Sequence, residues 1–369
     1  MSIYWGIVAA TVILGMIMPQ EGSKRKDYVI LMTLIHWFVC AFRYQFLTGD
    51  LRKYYTEFWR LSGVGYFDDM AIHEWKNTGF YWLMKVIGEV SGMNFQFFLV
   101  LLATFTCVVA GILIYRYSPK PWFSFVVWNC LGFYVTYDYL AIKQGLAMAL
   151  LMVSMMCILE KKPWAFLIWT LLAGFIHMPA LSFLPAYFLA NRKLDGKLVA
   201  FYIVAAVIIF FSRDQIVDVV GEAYYEDESF TLIKEELGGR TIVIILMLVA
   251  GILLRGFREK RFNQLFHIVV VAAILQMFSG FDNVFTRLAD YYLQFTLLYI
   301  PMIFYDVRKP EVNRLAAPPL FPFNLRSRKV LAACIVLILI WWYDTTMLGN
   351  TISYEVDNYL NYRFMWDVK

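Results

Sequence analysis

Charge is what this sequence has least of. Only 17% of its 369 residues are Asp, Glu, Lys or Arg and 61% are hydrophobic, whereas about a quarter of an ordinary soluble domain is charged. That shortage excludes a soluble fold, because beyond about 250–300 residues a chain splits into domains instead of enlarging one core. Metal-ligand spacing is missing from the five cysteines (Cys40, Cys107, Cys130, Cys157, Cys334), all inside apolar runs; they read as small buried hydrophobes. There is no Walker loop, no H-E-x-x-H and no G-x-S-x-G, so energy is not expected from a nucleotide bound at a P-loop, nor chemistry from those zinc or serine sites. Nothing points to a metal or a cofactor. The first apolar run lacks a basic leader and a small-residue cleavage site, and reads as a retained helix. Internal repeats and low-complexity tracts are absent.

What is present is a series of apolar runs, and about 20 such residues cross a bilayer core. Twelve runs are expected to be membrane helices: 2–18, 27–47, 95–115, 121–139, 141–159, 164–176, 178–190, 198–212, 240–257, 262–280, 287–306 and 329–346. The fold class is therefore all-α, a polytopic integral membrane protein forming one embedded domain over 1–369. Residues 163–191, between two basic clusters, are too long for one span of a ~30 Å core and short for two. A hairpin of short helices turning at His177-Met178-Pro179 satisfies both lengths, because Pro179 lacks the backbone N–H and suits a first helical turn.

Orientation follows from the basic loops. Lys24-Arg25-Lys26, Arg116 with Lys120, Lys161-Lys162, Arg192-Lys193-Lys197, Arg255 to Arg261 and the 307–329 loop are expected on the cytoplasmic side. The net charge of +5 is thus a matter of topology, not of nucleic-acid binding. Alternation then requires Trp75 to Ser91 to lie in the outer interface as an amphipathic helix. Longer outer segments are expected at 48–95, 213–239 and the C-terminus. The middle one holds an acidic stretch from Glu222 to Glu236, read as a solvated loop.

Ionisable residues at membrane depth are expensive and mark function by default. Arg43 lies near the outer end of the second run. Lys143 and Gln144 open the fifth run after Asp138, His177 sits at the proposed hairpin tip, and Arg287 opens the eleventh, between Asp282 and Asp290. In this topology all four basic side chains approach the outer face. Each also has a plain reading: Arg43 snorkelling to headgroups, Lys143 pairing with Asp138, Arg287 with Asp290, His177 as hydrogen-bonded structure. An outward cluster of Arg and Lys suits a polyanion, since guanidinium grips phosphate oxygens bidentately. A preactivated lipid-linked pyrophosphate would fit.

These residues carry a resemblance. The runs Ile142-Lys-Gln-Gly-Leu-Ala-Met-Ala-Leu150, Leu172-Ala-Gly-Phe-Ile-His177-Met-Pro-Ala-Leu181 and Leu184-Pro-Ala-Tyr187 resemble the EpsG family of exopolysaccharide polymerases, itself similar to Wzy-type polymerases. Arg43…Gly49-Asp50…Tyr54 and Arg287…Tyr291-Tyr292 resemble its early and late motifs. Two positions depart from the pattern: Lys143 stands for the usual Arg and lacks the fork, and Asp50 follows Gly49 directly.

The resemblance implies transfer of a glycan from a polyprenyl-pyrophosphate donor to a sugar hydroxyl of a second lipid-linked repeat unit. The expected setting is the outer leaflet of a bacterial cell membrane. Arg43, Lys143 and Arg287 would hold the pyrophosphate, with Gln144, Tyr54 and Tyr291 also on the substrate, and His177 or Asp50 would deprotonate the acceptor. Membrane lipid and a chain-length regulator or other export proteins are the implied partners. Two alternatives differ in class. A flippase of lipid-linked sugar should show inverted repeats and midplane charges. A membrane acyltransferase should have its His reachable from the cytoplasm.

Overall fold

The structure is a computed structural model; it describes residues 2–19, 21–45, 49–66, 68, 77–224, 239–279, 281, 283–306, 319–320, 324–348 and 363–366. Most of the acidic stretch of 213–239, Asp282 and most of the 307–329 loop lie outside the described residues. Among the described residues the fold is all helix without a strand. This is the form a chain in hydrocarbon must take, because a helix satisfies its backbone polar groups internally. The helices are α1 (Ser2–Ile17), α2 (Gly22–Ala41), α3 (Gly49–Arg60), α4 (Thr78–Ser91), α5 (Phe95–Tyr117), α6 (Pro121–Cys130), α7 (Ile142–Leu159) and α8 (Pro163–Ile176). They continue with α9 (Ala186–Ala190), α10 (Gly196–Tyr224), α11 (Gly239–Arg255), α12 (Lys260–Gln276), α13 (Asn283–Leu293), α14 (Thr296–Phe304) and α15 (Leu325–Trp342).

Four helices are long and apolar enough to cross a membrane: Phe95–Tyr117, Ile142–Leu159, Gly196–Val217 and Arg326–Thr346. They coincide with four of the twelve expected runs. Several other runs are interrupted. The 121–139 run leaves α-helix at Cys130 and resumes as a π turn, Tyr134–Leu140. The 178–190 run is a 3-10 turn, Met178–Phe183, followed by the five-residue α9, since Pro179 and Pro185 each withdraw an N–H. The 287–306 run divides into α13 and α14. The helix expected within 75–91 is present as α4, and α3 is a further helix within the expected outer segment 48–95.

The chain packs as two compact units, Met1–Leu181 with Arg328–Lys369, and Ser182–Ser327. In the first, α7 lies along α8 and α2 along α5, with α1 on α6. Two buried polar contacts bind this unit. His36 of α2, with no exposure, bonds the amide of Asn129 in α6 and stacks on Trp128 with ring centroids 5.0 Å apart. Arg25 of α2, 1% exposed, donates from Nη2 to the carbonyls of Tyr115 (2.7 Å) and Ser118 (2.6 Å). These carbonyls close α5 and have no helical donor, so the guanidinium caps the helix and complements its dipole.

The same contact brings the Lys24–Lys26 turn to the Arg116–Lys120 turn. Arg116 in turn pairs with Glu160 (3.2 Å), which also takes Lys162 (2.6 Å) and the Tyr117 hydroxyl (2.8 Å). Lys162 first, then Tyr117, holds the Glu160 carboxyl below the ordinary carboxylate range. In the second unit α12 is central and packs on α9, α11 and α13. Arg255 there bonds Asp306 at 2.5 Å, joining two further polar turns. Three of the basic loops expected on one side therefore meet at one end of the first unit.

The Arg25 cap gives a direct expectation. Arg25→Met should keep the apolar stem but strand the carbonyls at the end of α5, costing about 2–4 kcal/mol. A lowered melting temperature of the purified chain in detergent is the expected readout; an unchanged one would refute the cap.

Candidate functional site

α2 stops at Ala41, and the chain turns through Phe42–Tyr44 against the C-terminal segment. Tyr44 N donates to Arg363 O (2.8 Å) and Met365 N to Phe42 O (2.9 Å), with an antiparallel bridge between Arg43 and Phe364. Satisfying the turn in this way leaves the Arg43 side chain inside the unit, fully buried. Its Nη1 donates to Cys40 O and Cys40 Sγ, each at 2.7 Å, and to Asp138 O at 3.3 Å. The guanidinium lies over the Tyr139 ring, 5.1 Å from its centre. Among the described residues Nε and Nη2 are buried without an acceptor. A headgroup anchor would expose its guanidinium, so snorkelling is not how Arg43 is held.

Asp138 and Tyr139 come from the π turn. π segments are rare and gather at functional sites, because the wider turn re-aims side chains and frees carbonyls. The start of α7 lies directly against it. A Cβ on Gly145 would stand 2.2 Å from the Tyr137 carbonyl oxygen, so only glycine fits that approach. Lys143, half-buried, and Gln144, 4% exposed, open this helix.

α8 runs back beside α7 and ends at Ile176, which puts its last turn at the end where α7 begins. His177 follows in extended backbone (φ −150°, ψ 103°), half-buried, with its N–H donating to Ala173 O and its carbonyl accepting from Ala180 N, each at 2.9 Å. Leu181 folds back over Gly174, where a Cβ would meet it at 2.2 Å. The chain thus breaks at His177 as its sequence indicated. α4 covers this end, with Trp82 edge-on to Phe175. α3 in turn packs on α4 and α5: Leu51 and Phe58 are buried, and Tyr54, half-buried, meets Phe80 at 5.4 Å. Asp50, in the first turn of α3, is exposed.

Arg43, Lys143 and His177 therefore belong to the first unit, and Arg287 belongs to the second. Arg287 is exposed on α13. One turn later Asp290, 1% exposed, is bridged by Arg240 of α11 through Nη2–Oδ1 (2.5 Å) and Nη1–Oδ2 (3.4 Å). Tyr291 is buried, and the Tyr292 hydroxyl donates to Ser182 O. No local pattern pointed to Arg240, which lies 50 residues from the carboxylate it holds.

The second unit also holds an apolar groove of about 430 Å³ between α10, α11 and α12, lined by Val207, Phe211, Ile245, Val249 and Ile274 among others. Just beyond Phe211, the Arg213 guanidinium lies over the rings of Phe210 (4.7 Å) and Phe281 (5.6 Å). A hydrocarbon chain suits those walls and an anion suits that end.

Apolar helices whose ends and breaks carry buried or clustered cations define a polytopic membrane protein. The chain belongs to the EpsG family: the family model matches residues 27–364 of 369. Membership suggests a polysaccharide polymerase. No curated protein and no solved structure matches the chain.

The tight approach at Gly145 can be tested without touching any ionisable group. Gly145→Ala must displace either the π turn or α7, at a cost of roughly 1–3 kcal/mol, and should lose polymer formation. Gly196→Ala, where nothing lies within 4 Å, should leave polymer formation unchanged. Equal activity of the two variants would show that the π-turn position is not critical.

Proposed function

We propose that the chain polymerises surface or exopolysaccharide repeat units, transferring a glycan from a polyprenyl-pyrophosphate donor to a sugar hydroxyl of a second lipid-linked unit. The observation that carries the reading is Arg43: a buried guanidinium whose Nε and Nη2 have no acceptor among the described residues holds a fork of donors in reserve. A phosphate oxygen is the natural acceptor, and a fixed guanidinium can stabilise charge on the leaving pyrophosphate without reorganising. Arg287 and Lys143 supply further positive charge. Gln144, Tyr54 and Tyr291 contribute to substrate binding, and His177 or Asp50 removes the acceptor proton. The groove on α10–α12 supports a substrate that brings its own hydrocarbon chain.

The topology of this reading has twelve spans, both termini outside and the active face extracytoplasmic. The junction of the Lys24–Lys26, Arg116–Lys120 and Glu160–Lys162 turns supports it, because the helices between them must then alternate. Met178→Cys, in a chain stripped of its native cysteines, should react with an impermeant thiol reagent added outside intact cells. Reaction only after the cytoplasm is opened would reverse the orientation and, with it, the polymerase reading.

The reaction itself is tested in vesicles holding the purified chain and lipid-linked repeat units. Lengthened glycan is the expected product; acyl transfer or translocation without lengthening would substitute the acyltransferase or flippase reading. Arg287→Lys should insert normally, being exposed, yet form roughly ten- to a hundredfold less polymer, because the ammonium keeps the charge and loses the planar fork. Near-normal polymer from Arg287→Lys would leave that residue as a headgroup anchor.

A further inference from the structure

A second cavity, of about 530 Å³, opens in the second unit at the other end of the α9 and α12 helices from Gln276 and Arg287. Two turns build it, Ala190–Leu194 after α9 and Phe257–Gln264 leading into α12. Four cations line it: Arg192, Lys193, Arg258 and Lys260. Together they give the space a positive field that favours an anion. The one carboxylate within these turns, Glu259, is turned to the start of α12, where it accepts from Arg261 N (3.0 Å) and Phe262 N (2.7 Å).

Two amides make this cavity more than a charged surface. Gln264, 3% exposed, lines it, and its Nε2 is buried without an acceptor. Asn263 donates from Nδ2 to Phe257 O at 2.7 Å, which fixes the amide and leaves its buried Oδ1 without a donor. An unmet donor and an unmet acceptor in one buried place are costly unless a ligand supplies both. The walls are held firmly: His267 of α12 bonds the Arg192 carbonyl at 3.2 Å and the Tyr202 hydroxyl at 2.8 Å.

We propose that this cavity binds a phosphodiester that also carries a hydroxyl, the chemistry of a glycerophosphate headgroup. Phosphate oxygens meet the four cations and Gln264 Nε2, and the hydroxyl donates to Asn263 Oδ1. Ala190, Leu194 and Phe257 give the same cavity an apolar side, which fits the lipid-borne form of that headgroup at a membrane surface. Basic pockets between helix ends are where anionic headgroups bind. The site is separate from the polymerase reading and stands or falls without it.

The test uses the full chain purified in detergent, with three probes: short-chain phosphatidylglycerol, short-chain phosphatidylcholine and free glycerol phosphate. Phosphatidylglycerol should bind saturably, roughly tenfold or more tighter than phosphatidylcholine, which has no hydroxyl and no net charge. Gln264→Leu should weaken it roughly tenfold while leaving the melting temperature unchanged or raised, because it removes an unmet buried donor. The exposed pair Arg192→Gln with Lys193→Gln gives the same loss and guards against misfolding at Gln264. Equal binding of glycerol phosphate would support the site with a soluble ligand as its source. Equal binding of the two lipids with no binding of glycerol phosphate, or affinity untouched by all of these substitutions, would overturn the proposal.

Discussion

Everything in this molecule follows from one constraint: a backbone carbonyl or N–H in hydrocarbon has no water to fall back on. Where the chain is helical the constraint is met silently. Where it leaves the helix, something specific must meet it. The Phe42–Tyr44 turn is met by backbone of the C-terminal segment. The Cys40 and Asp138 carbonyls are met by Arg43, and the carbonyls at the end of α5 by Arg25. Two of these interruptions, the Phe42–Tyr44 turn and the π turn before α7, adjoin the candidate residues Arg43 and Lys143. A helix can only present side chains outward from its axis; a break can aim several side chains and carbonyls at one point.

Two arginines show how differently the same group can be used. Arg25 spends its Nη2 donors on carbonyls 2.6–2.7 Å away and completes a helix end. Arg43 is as deeply buried, yet it makes all its hydrogen bonds through Nη1 and holds Nε and Nη2 in reserve. Burying a cation with unmet donors costs free energy, and among the described residues Arg25 leaves only Nε unmet whereas Arg43 leaves both Nε and Nη2, the two that make a fork. The contact with Tyr139 offsets part of that cost, since a ring face attracts a desolvated cation. The asymmetry, not the burial, separates a structural arginine from a candidate ligand.

Much of this was legible in the sequence, and the boundary of legibility is physical. Four of the apolar runs, the break at His177-Met178-Pro179 and the helix before Met93 are local properties, and these appear where the residue pattern put them. α3 is announced by period and not by an apolar run: Leu51, Tyr54, Tyr55 and Phe58, at i, i+3, i+4 and i+7, make one apolar face among Asp50, Arg52, Lys53, Glu57 and Arg60. The interruption of the 121–139 run falls at Gly132, which takes left-handed backbone (φ 82°) just after the helix ends at Cys130. One glycine in a mostly apolar run is weak punctuation by itself, and what packs against the π turn completes the break. Asp290 looked like a candidate for its neighbour Arg287, but its two-point bridge comes from Arg240 on another helix. Sequence spacing exposes pairs within a helix and is blind to pairs across helices.

The same distinction governs the candidate site. Arg43, Lys143 and His177 share an end of one unit because Arg43 reaches the π turn, the π turn lies against the start of α7 at Gly145, and α8 runs back along α7. Arg287 belongs to the other unit and is exposed, whereas Arg43 is locked by Cys40 and Asp138. A locked guanidinium is preorganised and gains most from charge that develops at a fixed point; an exposed one loses conformational entropy on every contact it makes. For transfer from a pyrophosphate, the leaving charge arises at one bridging oxygen while the rest of the donor must arrive and depart. A buried, fixed cation suits the first requirement, so under the polymerase reading Arg43 is placed to serve turnover, by meeting charge on the leaving oxygen.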